Sequence, residues 1–213
     1  MKKPLLILMG LLILNLSSTA FATLLPRWGG AAVYDTDLDI TWLSDANYAK
    51  TSGYDSDGLM TWLDATTWAA SLNIGGFTDW RLPTMDSACN GISVSICINS
   101  EMGHLFYTEL SGTTNSSVLT SGDPDLALFS NIQYNYWSDT LFVFNQITHQ
   151  DAWFFSFHNG HQSIMHFRSS DLSAWAVHSG DIFGTQIPEP GTLVLMGLGL
   201  AGLLGFRRGQ QRS

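Results

Sequence analysis

The chain has 213 residues, a formal net charge of −9 and a hydrophobic fraction of 45%. Between residues 23 and 187 there are four basic and seventeen acidic side chains, a net charge of −13. This balance argues against nucleic acid or anionic lipid as partners, because both are bound through basic patches. Cations, neutral sugars and basic proteins stay compatible with it. A body of about 165 residues suits one domain with its own core.

The first 22 residues have the three parts of a secretory signal peptide. Lys2 and Lys3 are positive, residues 5–16 are apolar, and Ala20 and Ala22 form a small-residue cleavage site. The apolar run is too short for a stable membrane span. We therefore expect signal peptidase to cleave after Ala22 and to release the body, residues 23–187, outside the cytoplasm.

Residues 32–43 predict a strand, a turn and a second strand. Asp35, Asp37 and Asp39 occupy alternate positions there, like the first three ligands of a calcium loop. The glycine and glutamate that complete such a loop are missing, and turn-forming aspartates explain the pattern equally well. Residues 55–58 are a second candidate loop with the same two explanations. We expect no cofactor; calcium at these loops is the alternative, and calorimetric titration with calcium would decide it.

A helix is predicted to begin after Thr61, which can act as an N-cap with Asp64 three residues later. Apolar residues then repeat at helical spacing until Gly75 and Gly76, which are expected to end the helix. The extended segment that follows, residues 77–84, contains Asp79 and Arg81 on one face, where they could pair.

The second half of the body predicts a helix over residues 100–110 and then strands at 134–138, 152–158, 161–166 and 174–178. Asn159 and Gly160 form the signal for a two-residue hairpin, which would place His158 and His161 opposite each other. With His149 or His166 they could bind zinc or copper, although polar residues beside a turn are commonplace. The order predicts an α+β fold with two helices and antiparallel strands.

The two cysteines, Cys89 and Cys97, lie in an oxidising compartment if the chain is exported. A disulfide is the favoured interpretation. A metal pair fits less well, since seven residues separate the thiols, and a catalytic thiol less well still, since nothing nearby would lower its pKa.

The C-terminal residues 188–213 contain Pro188, Glu189 and Pro190, then an uncharged run over 192–206, then Arg207 and Arg208. Fifteen helical residues rise only about 22 Å, short of the ~30 Å hydrocarbon core, and the arginines would stay cytoplasmic. This order resembles the PEP-CTERM sorting signal. The resemblance implies processing by an exosortase, a membrane protease-transpeptidase. An ordinary membrane anchor is the alternative, and the prolines ahead of the helix favour the sorting signal.

Four stretches of the body, at residues 60–84, 136–140, 152–162 and 174–181, resemble the Lcl C-terminal domain family. The most specific part of this resemblance is the motif Gly75, Gly76, Asp79, Trp80, Arg81, Leu82 and Pro83. The family implies a C-type-lectin-like or formylglycine-generating-enzyme-like fold and an extracytoplasmic role in binding or adhesion, in some members towards glycans. Cys89 and Cys97 do not match the redox pair of the formylglycine-generating enzymes, so that chemistry is not carried over. The tryptophans of the motif and strands are expected in the core.

Together these features predict an exported, exosortase-processed protein of the cell surface or extracellular matrix, anchored in the inner membrane before processing. We expect no enzymatic activity, and a glycan, an exopolysaccharide of a biofilm or an envelope protein as the ligand. The alternatives are an extracytoplasmic enzyme with the formylglycine-generating-enzyme-like fold, and a matrix component without a specific ligand.

Overall fold

The computed structural model describes residues 24–86, 97–144 and 147–184. Its strands are, in chain order, β1 (Leu24–Arg27), β2 (Ala32–Asp35), β3 (Ile40–Leu43), β4 (Leu59–Met60), β5 (Asn135–Phe144), β6 (Ile147–Ser156), β7 (Gln162–His166), β8 (Leu172–Ser173) and β9 (Val177–Ser179). Its α-helices are α1 (Tyr48–Thr51), α2 (Trp62–Ser71) and α3 (Glu101–His104). The α+β class predicted from the sequence is confirmed.

The strands form two sheets. The first has the order β1-β2-β3-β9 and is antiparallel throughout. The second has the order β4-β8-β5-β6-β7, in which only the short contact between β5 and β8 is parallel. Both termini of the described body therefore lie in the first sheet or next to it, since β1 begins the body and β9 nearly ends it.

The helix predicted after Thr61 forms as α2. The Thr61 hydroxyl accepts a hydrogen bond from the Asp64 N–H and donates one to the Asp64 carboxylate at 2.6 Å. The helix ends at Ser71, with Leu72 as its C-cap, so the glycine pair that we expected to end it lies further along the chain. Gly75 and Gly76, at φ values of 63° and 89°, instead form a tight turn between Ile74 and Phe77.

The helix predicted over residues 100–110 begins as an α-helix and changes its hydrogen bonding within one turn. Ser100 caps α3 by accepting a hydrogen bond from the Gly103 N–H. Residues Leu105–Glu109 then form a π-helical turn, in which the Leu110 N–H donates to the Leu105 carbonyl five residues earlier. Such insertions are rare in helices and bring residues five apart onto one face.

The hairpin between β6 and β7 differs from the predicted one. Phe155 pairs with Gln162, and the Ser156 N–H donates to the His161 carbonyl, which leaves the four residues 157–160 as the loop. His158 therefore lies in the loop and packs on Tyr134, with a ring-centroid distance of 4.9 Å. The expectation that His158 and His161 oppose each other was wrong, because it assumed a two-residue loop.

Tryptophan side chains dominate the core, as the sequence predicts. Among the largest fully buried side chains are Trp42, Trp68, Trp80, Trp137 and Trp175. Several indole N–H groups also join elements that are distant in sequence. Trp137 donates to the Met60 carbonyl of β4 at 2.8 Å, and Trp175 donates to the Leu43 carbonyl of β3 at 2.7 Å. These side chains are therefore scaffold residues.

The segment 79–83, here called the motif strap, connects the two sheets. The backbone groups of Arg81 exchange two hydrogen bonds of 2.9 Å with Val177 of β9 in the first sheet. The Pro83 carbonyl accepts a hydrogen bond of 2.8 Å from the Asp139 N–H of β5 in the second sheet. The strap thus supplies backbone hydrogen bonds to both sheets at once.

The sequence suggested that Arg81 pairs with Asp79, but in the structure its partner is a different residue. Its guanidinium makes two hydrogen bonds of 2.7 Å to the Glu101 carboxylate, which also accepts the Thr84 N–H at 2.7 Å. Asp79 is exposed and has a φ of 65°, so the backbone reverses there and the alternation of an extended strand is lost. The strap is consequently fixed to α3 by a charged pair.

Several predicted features lie outside the described residues: the signal peptide with Ala20 and Ala22, Cys89, and the sorting segment from Pro188 to Arg208. Cys97 is described and buried, and its pairing with Cys89 stays a prediction. Within the described part of the chain, every helix is too short or too polar to cross a membrane.

We expect Glu101→Gln to lower the free energy of unfolding by about 1–3 kcal/mol, because it removes a charge-assisted, bidentate pair that is mostly buried. Urea unfolding of the purified full chain measures this loss. Asp171→Asn removes the same charge at an exposed position and is the matched control. Equal stability of the two variants would contradict a role for the Arg81–Glu101 pair.

Candidate functional site

All eight tryptophans lie in the described residues, and Trp28 is the exposed one among them. The residue is 50% accessible. It begins a 3₁₀ turn directly after β1 and has a φ of 48°, and Gly29 and Gly30 follow with φ values of 67° and 91°. Three successive residues with positive φ make a tight turn that a regular strand or helix does not allow. An exposed tryptophan in this conformation is a candidate for ligand contact.

Two phenylalanines extend the surface of Trp28. The Phe183 ring stacks on the indole with a centroid distance of 4.8 Å and an interplanar angle of 7°. Phe77, which is 36% exposed, meets Phe183 edge to face at 5.1 Å. We call Trp28, Phe77 and Phe183 the aromatic platform. Phe183 covers one face of the indole, and half of the tryptophan surface is still accessible.

Gly75 of the family motif allows this platform to form. A Cβ atom at Gly75 would lie 2.8 Å from Cε1 of Phe183 and 3.5 Å from Cζ2 of Trp28. Its neighbour Gly76 also has a positive φ, but a Cβ atom there would meet nothing within 4 Å. The glycine at position 75 is therefore needed for close packing as well as for the turn.

Two concave surfaces adjoin the platform. A cavity of about 140 Å³ is lined by Trp28, Ala31, Leu43, Ser44, Asp45, Tyr48 and Ile74. A more open cleft of about 520 Å³ is lined by Pro26, Arg27, Trp28, Gly29, Gly30 and Phe183. Ligand pockets typically measure about 300–1,000 Å³, so the cleft is in that range and the cavity fits a smaller group. Trp28 belongs to both.

An ion pair holds the two ends of the described body together beside the platform. The Arg27 guanidinium donates three hydrogen bonds of 2.8, 3.1 and 2.8 Å to the Asp181 carboxylate. It also lies over the Tyr34 ring, 5.5 Å from the centroid. We call the Arg27–Asp181 pair the terminal clasp. The clasp keeps the segment with Phe183 against the turn that carries Trp28.

Asp35, the first of the predicted calcium ligands, meets two residues that the sequence analysis did not select. One oxygen of Asp35, a ring nitrogen of His104 and one oxygen of Glu109 all lie within 4.8 Å of one another. Nε2 of His104 is 3.1 Å from Oε1 of Glu109 and 3.9 Å from Oδ2 of Asp37. Burial raises the pKa of the Asp35 carboxyl, and the hydrogen bond to Glu109 raises the pKa of the His104 imidazole.

The other predicted oxygen ligands have local roles in turns. Asp39 accepts a hydrogen bond of 2.8 Å from the Tyr34 hydroxyl. Asp55 accepts the N–H groups of Asp57 and Gly58, and the Gly58 N–H lowers the pKa of that carboxyl most. Calcium binding at either loop stays a prediction.

Residues 31–178 match the family model of the Lcl C-terminal domain, which is more than half of the chain. The chain belongs to the Lcl C-terminal domain family. Residues 186–208 match the PEP-CTERM protein-sorting motif. No curated protein and no solved structure shows a significant match to the chain. Both resemblances inferred from the sequence are thereby confirmed.

The platform combines the Lcl C-terminal domain with residues on either side of it. Trp28 precedes the matched range and Phe183 follows it, whereas Phe77 and Gly75 lie within it. Sequence reasoning overlooked Trp28 and Phe183 because neither belongs to a periodic segment. The available signal was the sequence Trp28-Gly29-Gly30, a large aromatic residue immediately before two flexible ones.

We expect Gly75→Ala to be more destabilising than Gly76→Ala. Both substitutions place alanine at a positive φ, which lowers the free energy of unfolding by about 1–2 kcal/mol. Only the first also forces Phe183 to move, which costs a further ~1–3 kcal/mol. Urea unfolding of both variants gives the difference, and quenching of tryptophan fluorescence by acrylamide reports the exposure of Trp28. Identical stability and quenching in the two variants would refute the packing role of Gly75.

Proposed function

We propose that the body is a non-catalytic adhesion module that binds a neutral polysaccharide of the envelope or matrix on the aromatic platform. The sorting motif indicates an exported protein that is processed by an exosortase. The proposal adds a ligand and a surface to that role. The observation that carries it is the half-exposed indole of Trp28 between two concave surfaces.

The chemistry of the platform suits a sugar. Sugar rings present C–H groups on their faces and hydroxyl groups around their edges. The accessible surface of Trp28 can pack against the C–H groups, and the stacked Phe183 ring holds the indole in place. Ser44 and Tyr48 are among the residues that line the adjoining cavity. Both carry a hydroxyl group, which can donate and accept hydrogen bonds with sugar hydroxyls. A mostly apolar surface with a few polar groups is typical of small-ligand sites.

Charge favours a neutral sugar polymer over an anionic one. The body carries a net charge of −13, which repels a polyanion at long range. Arg27, the basic side chain that lines the cleft, already donates three hydrogen bonds to Asp181. It is therefore poorly available to a sulfate or carboxylate group of a ligand.

The platform lies close in sequence to the sorting motif. Gly184, the last described residue, is four residues from Pro188. Four residues span at most about 14 Å of chain. A polysaccharide held at the platform would therefore be bound near the point at which the protein is attached to the membrane or to its final carrier. This arrangement suits a protein that anchors matrix polymers to the envelope.

The proposal includes a lectin-like architecture for the body, in place of the formylglycine-generating-enzyme-like alternative. The α+β order and the antiparallel sheets support either of these folds. The platform favours the binding role, because aromatic surface provides adhesion and contributes no acid, base or nucleophile. An envelope protein with an apolar, basic surface is the second candidate ligand, and the acidic body favours it over other proteins.

We expect Trp28→Ala to reduce retention of the full chain on a neutral polysaccharide by at least tenfold. The full chain, purified in detergent, is applied to exopolysaccharide from the producing cells and to a neutral glucan. Trp28→Phe keeps an aromatic face and should lose less. Tyr134→Ala removes another exposed aromatic residue, 65% accessible, that does not line either surface, and is the matched control. Full retention of Trp28→Ala would refute the platform as the site.

We expect replacement of Pro188, Glu189 and Pro190 by alanine to block processing, because these residues lie in the matched sorting motif, ahead of its apolar run. Immunoblots of membrane and medium fractions should then show a larger precursor that stays in the membrane. Gln210→Ala with Gln211→Ala changes residues beyond the matched motif and should be processed normally. Release of the triple variant at the unchanged size would contradict exosortase processing.

A further inference from the structure

Three side chains from separate parts of the fold converge outside the platform. Asp35 is the last residue of β2, His104 is the last residue of α3, and Glu109 is the last residue of the π-helical turn. In the described part of the chain, this is the one group of three or more histidine, cysteine or acidic residues whose potential ligand atoms lie within 4.8 Å of one another. We call it the Asp35 cluster.

The π-helical turn creates the cluster. His104 and Glu109 are five residues apart, and a regular α-helix would place them on different faces. The hydrogen bond from the Leu110 N–H to the Leu105 carbonyl widens the turn and brings Nε2 of His104 to 3.1 Å from Oε1 of Glu109. Turns of this kind are rare and occur frequently at functional sites. The local geometry is thus specific to this pair.

One carboxylate oxygen of Asp35 is buried without a hydrogen-bond partner in the described part of the chain, which points to a ligand. The residue is 1% exposed. Its Oδ1 accepts hydrogen bonds of 3.0 Å from the N–H groups of Asp37 and Leu38, which use both lone pairs. Its Oδ2 is buried and has no hydrogen-bond partner among the described residues. A buried carboxylate oxygen without a partner is costly, and a bound cation would satisfy it.

The spacing of the cluster fits a small divalent ion. Three atoms within 4.8 Å of one another have a common point within about 2.8 Å of each, and zinc bonds to nitrogen and oxygen measure about 2.0–2.2 Å. Small side-chain movements would close that difference. The distance of 3.1 Å between His104 and Glu109 is close to the ~3.4 Å edge of a tetrahedron with such bonds.

We propose that Asp35, His104 and Glu109 bind one divalent transition-metal ion of the zinc class. An imidazole ligand favours such metals, whereas calcium prefers a set made of oxygen ligands alone. Two carboxylates balance the charge of the ion, and the neutral imidazole adds none. The side chain of Asp37 is 44% exposed and its Oδ2 is 3.9 Å from Nε2 of His104. Asp37 therefore marks the side that is open to solvent and can supply a fourth ligand.

The ion would join β2 of the first sheet to the turn that follows α3. Without metal, the His104–Glu109 hydrogen bond partly stabilises the same arrangement. The proposal is independent of sugar binding, because the cluster and the platform share no residue.

The test is titration of the untagged, chelator-treated full chain in detergent with zinc chloride alone, followed by calorimetry and thermal melting. We expect one equivalent of zinc to bind and the melting temperature to rise until that equivalent is reached. His104→Gln and Asp35→Asn should each weaken binding by at least about 100-fold, since even loss of a residue that only orients a metal ligand costs about 10–100-fold. Asp35→Asn keeps the oxygen that accepts the two N–H groups and so protects the turn.

His166→Gln is the matched control, because this histidine is hydrogen-bonded to Gln150 and lies outside the cluster. It should bind zinc as the unchanged chain does. Two results would overturn the proposal: no heat and no melting shift with zinc, or unchanged zinc affinity in His104→Gln. Should Asp35→Asn fail to fold by circular dichroism, Glu109→Gln provides the second test.

Discussion

The bidentate pair between Arg81 and Glu101 is the interaction on which the other parts of the structure depend. Arg81 is the point at which the motif strap exchanges backbone hydrogen bonds with β9, and two residues later Pro83 accepts one from β5. Glu101 holds the guanidinium and the Thr84 N–H together, which fixes the start of α3 against the strap. Both sheets and α3 therefore contact the strap within three residues of this mostly buried ion pair.

The terminal clasp joins the two ends of the described body, as the Arg81–Glu101 pair joins the strap to α3. The Asp181 carboxylate, three residues before the end of the described chain, is held by Arg27 of β1. The aromatic platform lies at the same place, because Phe183 follows Asp181 and stacks on Trp28. The platform residue Phe183 is thus five positions from Pro188 of the sorting motif in the sequence.

Local chemistry was predictable from the sequence, and long-range pairing was not. The Thr61–Asp64 cap and the strand pair around Asp35 depend on neighbours within a few residues, and both were predicted. Arg81 had an acidic neighbour, Asp79, but the positive φ of Asp79 turns the chain, and the true partner is twenty residues away. The His104–Glu109 contact needs a π-helical turn, which leaves no mark in hydrophobic periodicity. The Asn-Gly signal predicts that a turn forms, but it does not fix the number of residues in the loop, and the loop after Ser156 has four.

The positions of the two proposed sites relative to the family match suggest how they are related. All three residues of the Asp35 cluster lie within residues 31–178, whereas Trp28 and Phe183 lie outside that range. A metal at the cluster would stabilise the scaffold, and the flanking residues would adapt one end of it to a ligand. Gly75 belongs to the family motif and leaves room for Phe183, so the family domain itself contributes to the platform. The physical requirement for adhesion is then small: one turn that exposes an indole and one clasp that brings a second ring against it.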